Sequence, residues 1–274
     1  MPYLHNGSFL PPNFIDMKNS LCTLLFWSLV LTQIMGQATA ETLPKPARSI
    51  SLGMGLSRTA LKMEMISPLI FSGSGVPFHL TYRRESTVYK QYIQLLYQAP
   101  ALKSPFSFKM QALDAFFTYG YLRKVKSFSK AHLYVGCELQ MMGSLRTMPQ
   151  VINNDHVTML NSLNISSIVD YAVGKHGFEA QLSIAALGYN IRSKDNFKIG
   201  AFEKSFSAFI NSESHLETLP KYLNTAFRLS YVPPSNAKHL RWRVDYWGNF
   251  QRYSQRQYLG VLQNQITTSL TYQF

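Results

Sequence analysis

Read two residues at a time, the chain alternates between apolar and polar side chains over ten stretches. Ile50, Leu52, Met54 and Leu56 oppose Ser51, Gly53, Gly55 and Ser57. The same alternation recurs over 77–84, 88–98, 111–122, 131–140, 165–173, 178–188, 222–231 and 240–249. It ends the chain, where Ile266, Thr268, Leu270, Tyr272 and Phe274 oppose Gln265, Thr267, Ser269, Thr271 and Gln273. Successive side chains of a strand point to opposite faces, so each stretch predicts one apolar and one polar face. Each covers roughly 8–12 residues, the length a tilted strand needs to cross the hydrocarbon of a bilayer.

The connections alternate as well. Short turns are predicted at Glu85-Ser86-Thr87, around Lys124–Ser129, at Gly174-Lys175-His176-Gly177 and at Pro233-Pro234-Ser235-Asn236. Longer loops are predicted between strands one and two, three and four, five and six, seven and eight, and nine and ten; the longest is about 190–220. An open sheet edge in hydrocarbon would leave unpaired backbone groups that cost several kcal/mol each, so the strands must close on themselves. The expected fold is an all-β, antiparallel transmembrane β-barrel of about ten strands, with eight or twelve left open. Its short turns are periplasmic and its long loops extracellular. Outward Tyr82, Tyr119, Tyr121, Tyr171, Tyr231, Tyr272 and Phe274 then fall at one interface, and Tyr97, Tyr246 and Phe250 at the other. Amphipathic rings favour both levels.

Residues 21–35 form the one long apolar run, preceded by Lys18 and followed by Ala38-Thr39-Ala40. That is the layout of a secretory signal peptide over 17–40, with 1–16 a mis-assigned start and 41–274 the barrel. Cys22 leaves with the signal, so Cys137 stays as a single thiol, which excludes an internal disulfide or a cysteine-based zinc cluster.

Charged residues make up only 15% of the chain, against roughly 25% in a typical soluble domain. The formal charge of +13 is scattered rather than gathered on one element, and export separates the chain from nucleic acid, so no nucleic-acid partner is expected. Leu270, Tyr272 and Phe274 match the C-terminal signal that Gram-negative outer-membrane β-barrel proteins present to the barrel-assembly machinery. The chain resembles that class over about 48–274, and its aromatic- and lysine-rich strands are similar to those of Bacteroidota members. The resemblance implies export to the outer membrane, contact with its lipid and lipopolysaccharide, and the assembly machinery as a partner during biogenesis.

The predicted inward charges are Arg83, Lys90, Asp114, Glu138, Asp170, Glu179, Arg228, Arg241, Arg243 and Asp245. Ten strands enclose a lumen that side chains can nearly fill, and buried charges must be matched, so a paired network closing the lumen is expected. The functional expectation is a structural or small-solute transport-related barrel. Two alternatives stand beside it. One is a lipid or peptide hydrolase with a site at the outer rim, where His79, Asp114 and Glu138 fall near strand ends. Two strand spacings bring His79 and Asp114 to about 10 Å, although no nucleophile motif accompanies them. The other is an accessory subunit of a secretion or surface-assembly complex. His132 reads as a structural lumen residue, and Arg192, Lys194, Lys198, Lys204 and Lys221, with Glu203, Glu213 and Glu217, as solvated loop charges. No cofactor or metal is expected from these spacings.

Overall fold

The computed structural model describes residues 47–64, 67–149, 155–192, 214–219, 221–237, 239–254 and 258–274. The expected start (1–16) and signal (17–40) lie outside the described residues, as do Lys194, Lys198, Glu203, Lys204 and Glu213. The strands are β1 (Ala47–Met63), β2 (Ser67–Gly75), β3 (Phe78–Glu85), β4 (Tyr89–Gln98), β5 (Ala101–Lys103), β6 (Lys109–Ser127) and β7 (Ala131–Thr147). They continue as β8 (Asp155–Val173), β9 (His176–Arg192), β10 (Ser214–Glu217), β11 (Tyr222–Val232), β12 (Leu240–Tyr253) and β13 (Leu259–Gln273). All pair antiparallel, and β13 pairs with β1 from Ser49↔Gln273 to Met63↔Leu259. The sheet is a closed barrel.

The ring runs β1-β3-β4-β6-β7-β8-β9-β11-β12-β13 and back to β1, ten strands in all. The remaining strands extend it. Met54↔Phe78 and Ser57↔Gly75 keep one register against β1, so β2 and β3 are one long strand interrupted at Val76-Pro77. Proline has no N–H to give the ladder, but its carbonyl still accepts from Gly55 N at 3.2 Å. Ala99-Pro100 divides β4 from β5 in the same way, with Ala112 N donating to Pro100 O at 3.3 Å. Among the described residues no helix is long and apolar enough to cross a membrane.

One expectation is corrected here. The first connection is not a long loop, because β1 runs to Met63 and β2 starts at Ser67. Likewise β7 and β8 reach Thr147 and Asp155 and consume most of the fifth connection. The barrel is taller than the alternation suggested because its polarity inverts near the loop end. There Leu61, Met63, Phe71, Leu102, Met110, Leu160, Tyr222, Tyr253 and Leu259 point inward and are buried together. Their outward neighbours Arg58, Lys62, Ser72, Ser74 and Lys103 face solvent.

The outward apolar belt has sharp limits. On β1, Ile50, Leu52, Met54 and Leu56 are exposed between Arg48 and Arg58. The belt lies between Arg84 and Ser74 on β3 and β2, between Gln91 and Lys103 on β4 and β5, and between Arg123 and Gln111 on β6. Ten residues at about 3.3 Å, tilted about 40°, rise about 25 Å, the height of the apolar band of an outer-membrane barrel. Cys137 faces outward within this belt, between Tyr121 and Ile165.

At the turn end, Gly174-Lys175 join the paired Val173 and His176. Gly174 has φ +58°, a conformation that disfavours a side chain. The C-terminus closes the ring: Leu270 sits between Leu52 and Trp242, Tyr272 between Ile50 and Leu240, and Phe274 N donates to Arg48 O at 3.1 Å. Deleting Tyr272–Phe274 removes the last outward aromatics and this bond. The expected result is a marked loss of assembled barrel in membranes, read as the fraction whose gel mobility shifts on heating.

Candidate functional site

Inward parity on β3, β4, β8, β9, β11 and β12 gathers charges into one layer near the turn end. Glu179 is its hub. Its carboxylate lies 2.9 Å from Arg83 Nη1, 3.0 Å from Lys90 Nζ and 2.6 Å from Arg243 Nη2. Lys90 also meets Asp170 at 2.7 Å, and Arg83 and Lys90 reach Glu85 at 3.5 and 3.6 Å. Asp245 Oδ1 accepts from Arg228 Nε at 3.1 Å and from Arg243 Nε at 2.8 Å, so Arg243 bridges the two carboxylates. Cations and anions alternate across the lumen, and most are under a tenth exposed.

Above this layer the interior is polar but neutral around one carboxylate. Glu138 accepts from Tyr92 Oη, from Gln181 Nε2 at 2.8 Å, from Ser183 Oγ at 3.1 Å and from Asn164 Nδ2 at 3.2 Å. Gln140 and Asn224 extend the layer, with Asn224 Nδ2 donating to Gln140 Oε1 at 2.6 Å. A void of about 30 Å³ remains among Tyr92, Thr118, Glu138, Gln181 and Arg228, room for about one water. Higher still, Asp114 is paired with Arg146 Nη2 at 2.6 Å and accepts from Ser144 Oγ and Gln98 Nε2. The apolar cluster caps the stack.

The rim constellation does not form. Because β2 continues β3 toward the loop end, His79 stands partway down the lumen, 3% exposed, beside Leu96 and Gly53. Asp114 and Glu138 are 0% and 3% exposed and engage separate partners, so they form no surface dyad with His79. Arg241 shares the inward parity of Arg243 but is exposed, because β12 begins one residue earlier at the mouth. His132 lies on β7 opposite Asp170 and Ser127.

Tyr92, Gln181, Asn164 and Arg146 were not singled out from the sequence. The first two share the inward parity of Lys90 and Glu179, which was the available signal. Asn164 and Arg146 fall within the predicted loop between the fifth and sixth strands. Glycine on the neighbouring strand makes the room Tyr92 needs: a Cβ at Gly120 would lie 2.3 Å from its ring. Gly120→Ala is therefore expected to cost about 1–3 kcal/mol, by displacing Tyr92 from Glu138. Urea unfolding of the refolded barrel measures this, and pairing it with Tyr92→Phe tests the route: Gly120→Ala should cost less in that background.

No protein-family model and no curated protein sequence matches the chain. Solved structures do. The outer membrane protease OmpT from Escherichia coli is 7% identical, with a TM-score of 0.45 over 87% of this chain and 99% of that one. The translocator domain of the autotransporter NalP from Neisseria meningitidis is 8% identical, with a TM-score of 0.45 over 94% and 98%. Ail, the attachment invasion locus protein of Yersinia pestis, is 13% identical, with a TM-score of 0.29 over 82% and 99%. The chain resembles Gram-negative outer-membrane β-barrel proteins. No residue role is carried over from these barrels.

Proposed function

We propose that this protein is a non-conducting barrel of the outer membrane, exported by its signal segment, with a structural role exercised at its surfaces rather than through its lumen. The supporting observation is closure at successive levels. The ion-paired layer around Glu179, the hydrogen-bonded layer around Glu138 and the Asp114–Arg146 pair are stacked beneath a buried apolar cluster. A solute path would have to break all of them. Matched buried charges are costly to separate, and a packed apolar cluster offers water no partners.

Single-channel recording of the membrane-extracted full chain in a planar bilayer tests the reading. Silence from a chain that is heat-modifiable on gels is expected. Stable, ion-selective steps would overturn it and make transport the function. Stoichiometric co-purification with a large complex would specify the structural role as that of an accessory subunit.

A further inference from the structure

The outer wall carries a groove that the lumen does not explain. It holds about 330 Å³ on the lipid-facing side of β8, β9, β11 and β12, toward the turn end. Its floor is Ala180, a small residue where most outward neighbours are large, flanked by Val169 on β8 and Leu229 on β11. Tyr171, Phe178 and Tyr231 form its lower wall. That volume falls at the lower end of ordinary small-molecule sites.

The chemistry is graded along the groove. Below Phe178, His176 Nδ1 and Tyr231 Oη share a hydrogen bond of 2.9 Å, and their rings stack 5.9 Å apart. Lys175 follows at once in the turn. Lys130 is brought alongside because its carbonyl accepts from Ala172 N at 3.0 Å. The carboxylates on these strand ends, Asp170 and Glu179, belong to the inward network. From the belt outward the wall therefore reads apolar, then aromatic hydroxyl and imidazole, then cation. A phospholipid reads acyl chain, then ester and glycerol, then phosphate, in the same direction.

We propose that this groove is a specific site for one anionic phospholipid of the periplasmic leaflet. Its acyl chain lies over Ala180 between Phe178 and Leu229, and its phosphate meets Lys175, Lys130 and the His176–Tyr231 pair. The proposal rests on the outer-membrane reading above. A second copy of the chain fits less well. A two-fold contact over this groove would bring the same lysines of both copies together, and like charges repel.

Native mass spectrometry of the full chain, extracted in mild detergent and supplied with phosphatidylglycerol, tests it. The wild type should hold one lipid more tightly than any further ones. Ala180→Phe, which fills the floor, and Lys175→Glu, which reverses the charge at the mouth, should each weaken that first binding about tenfold, or about 1.4 kcal/mol. Ala180 faces outward and Lys175 lies in an exposed turn, and heat-modifiability on gels checks that each barrel is intact. Lys175→Glu keeps the test decisive if Ala180→Phe assembles poorly. Unchanged lipid retention in folded variants would overturn the proposal, as would a dimer peak that disappears in Ala180→Phe. A wild type that shows no heat-modifiable barrel would sink the membrane reading instead, so the two failures are distinguishable.

Discussion

Glu179→Ala should unfold at a lower urea concentration than any other single substitution in the ion-paired layer, losing about 3–5 kcal/mol, the usual cost of removing one partner from a buried ion cluster. The reason is its place as hub. Arg83, Lys90 and Arg243 converge on one carboxylate, and alanine leaves all of them facing one another in a lumen that admits little water. Glu179→Gln keeps the shape and some hydrogen bonds but not the charge, and should fall between the wild type and alanine. Asp170→Asn is the control. Its side chain is 28% exposed and, among the described residues, is ion-paired with Lys90 alone, which keeps Glu179, so a loss within about 1 kcal/mol is expected. Unfolding in lipid vesicles, followed by tryptophan fluorescence, measures all three. Equal losses for Glu179→Ala and Asp170→Asn would show that the layer has no hub.

Phe71→Ala should cost about 3–5 kcal/mol, the range for emptying a buried aromatic site. Phe71 is 1% exposed beside Leu61 in the apolar cluster at the loop end. Its loss should not open the barrel, because the polar layers below are intact, so recordings should remain silent. Conductance in this single variant would mean that the apolar cap alone closes the lumen. The Glu179→Ala, Phe71→Ala double variant breaches both ends of the stack. Its stability losses should nearly add, because the sites share no partner. The Glu138 layer and the Asp114–Arg146 pair between them stay intact, so recordings of this variant should still be silent.

The strands of the ring were legible because lipid outside and polar groups inside impose the same two-residue rhythm from Ile50 to Phe274. That rhythm failed as a guide where the outer solvent changes. From Arg58 to Met63, and from Ser67 to Gly75, outward Arg58, Lys62, Ser72 and Ser74 alternate with inward Leu61, Met63, Phe71 and Gly73, which reads as loop by composition alone. Parity also placed Arg83, Lys90, Glu179, Arg228, Arg243 and Asp245 on the inner wall. It could not pair them. Arg83 and Glu179 are 96 residues apart, and their meeting depends on the curvature and stagger that carry β3 opposite β9. The groove at Ala180 was out of reach for a similar reason: it arises from side-chain sizes on four adjacent strands, and no single strand carries it.

The limits of the apolar belt also act as a depth gauge. Arg48 and Arg84 at one edge and Arg58 at the other are long cationic side chains that can reach phosphates only when the barrel sits at one level. A piston-like shift by one outward residue would drag guanidinium groups into hydrocarbon on one side and strand Ile50 or Leu56 in the headgroups on the other. In a bilayer thicker than about 25 Å the lipid must thin around the wall, because a stiff cylinder has little freedom to lean or stretch. The protein therefore marks a membrane of its own thickness, and it should partition toward such regions wherever thickness varies.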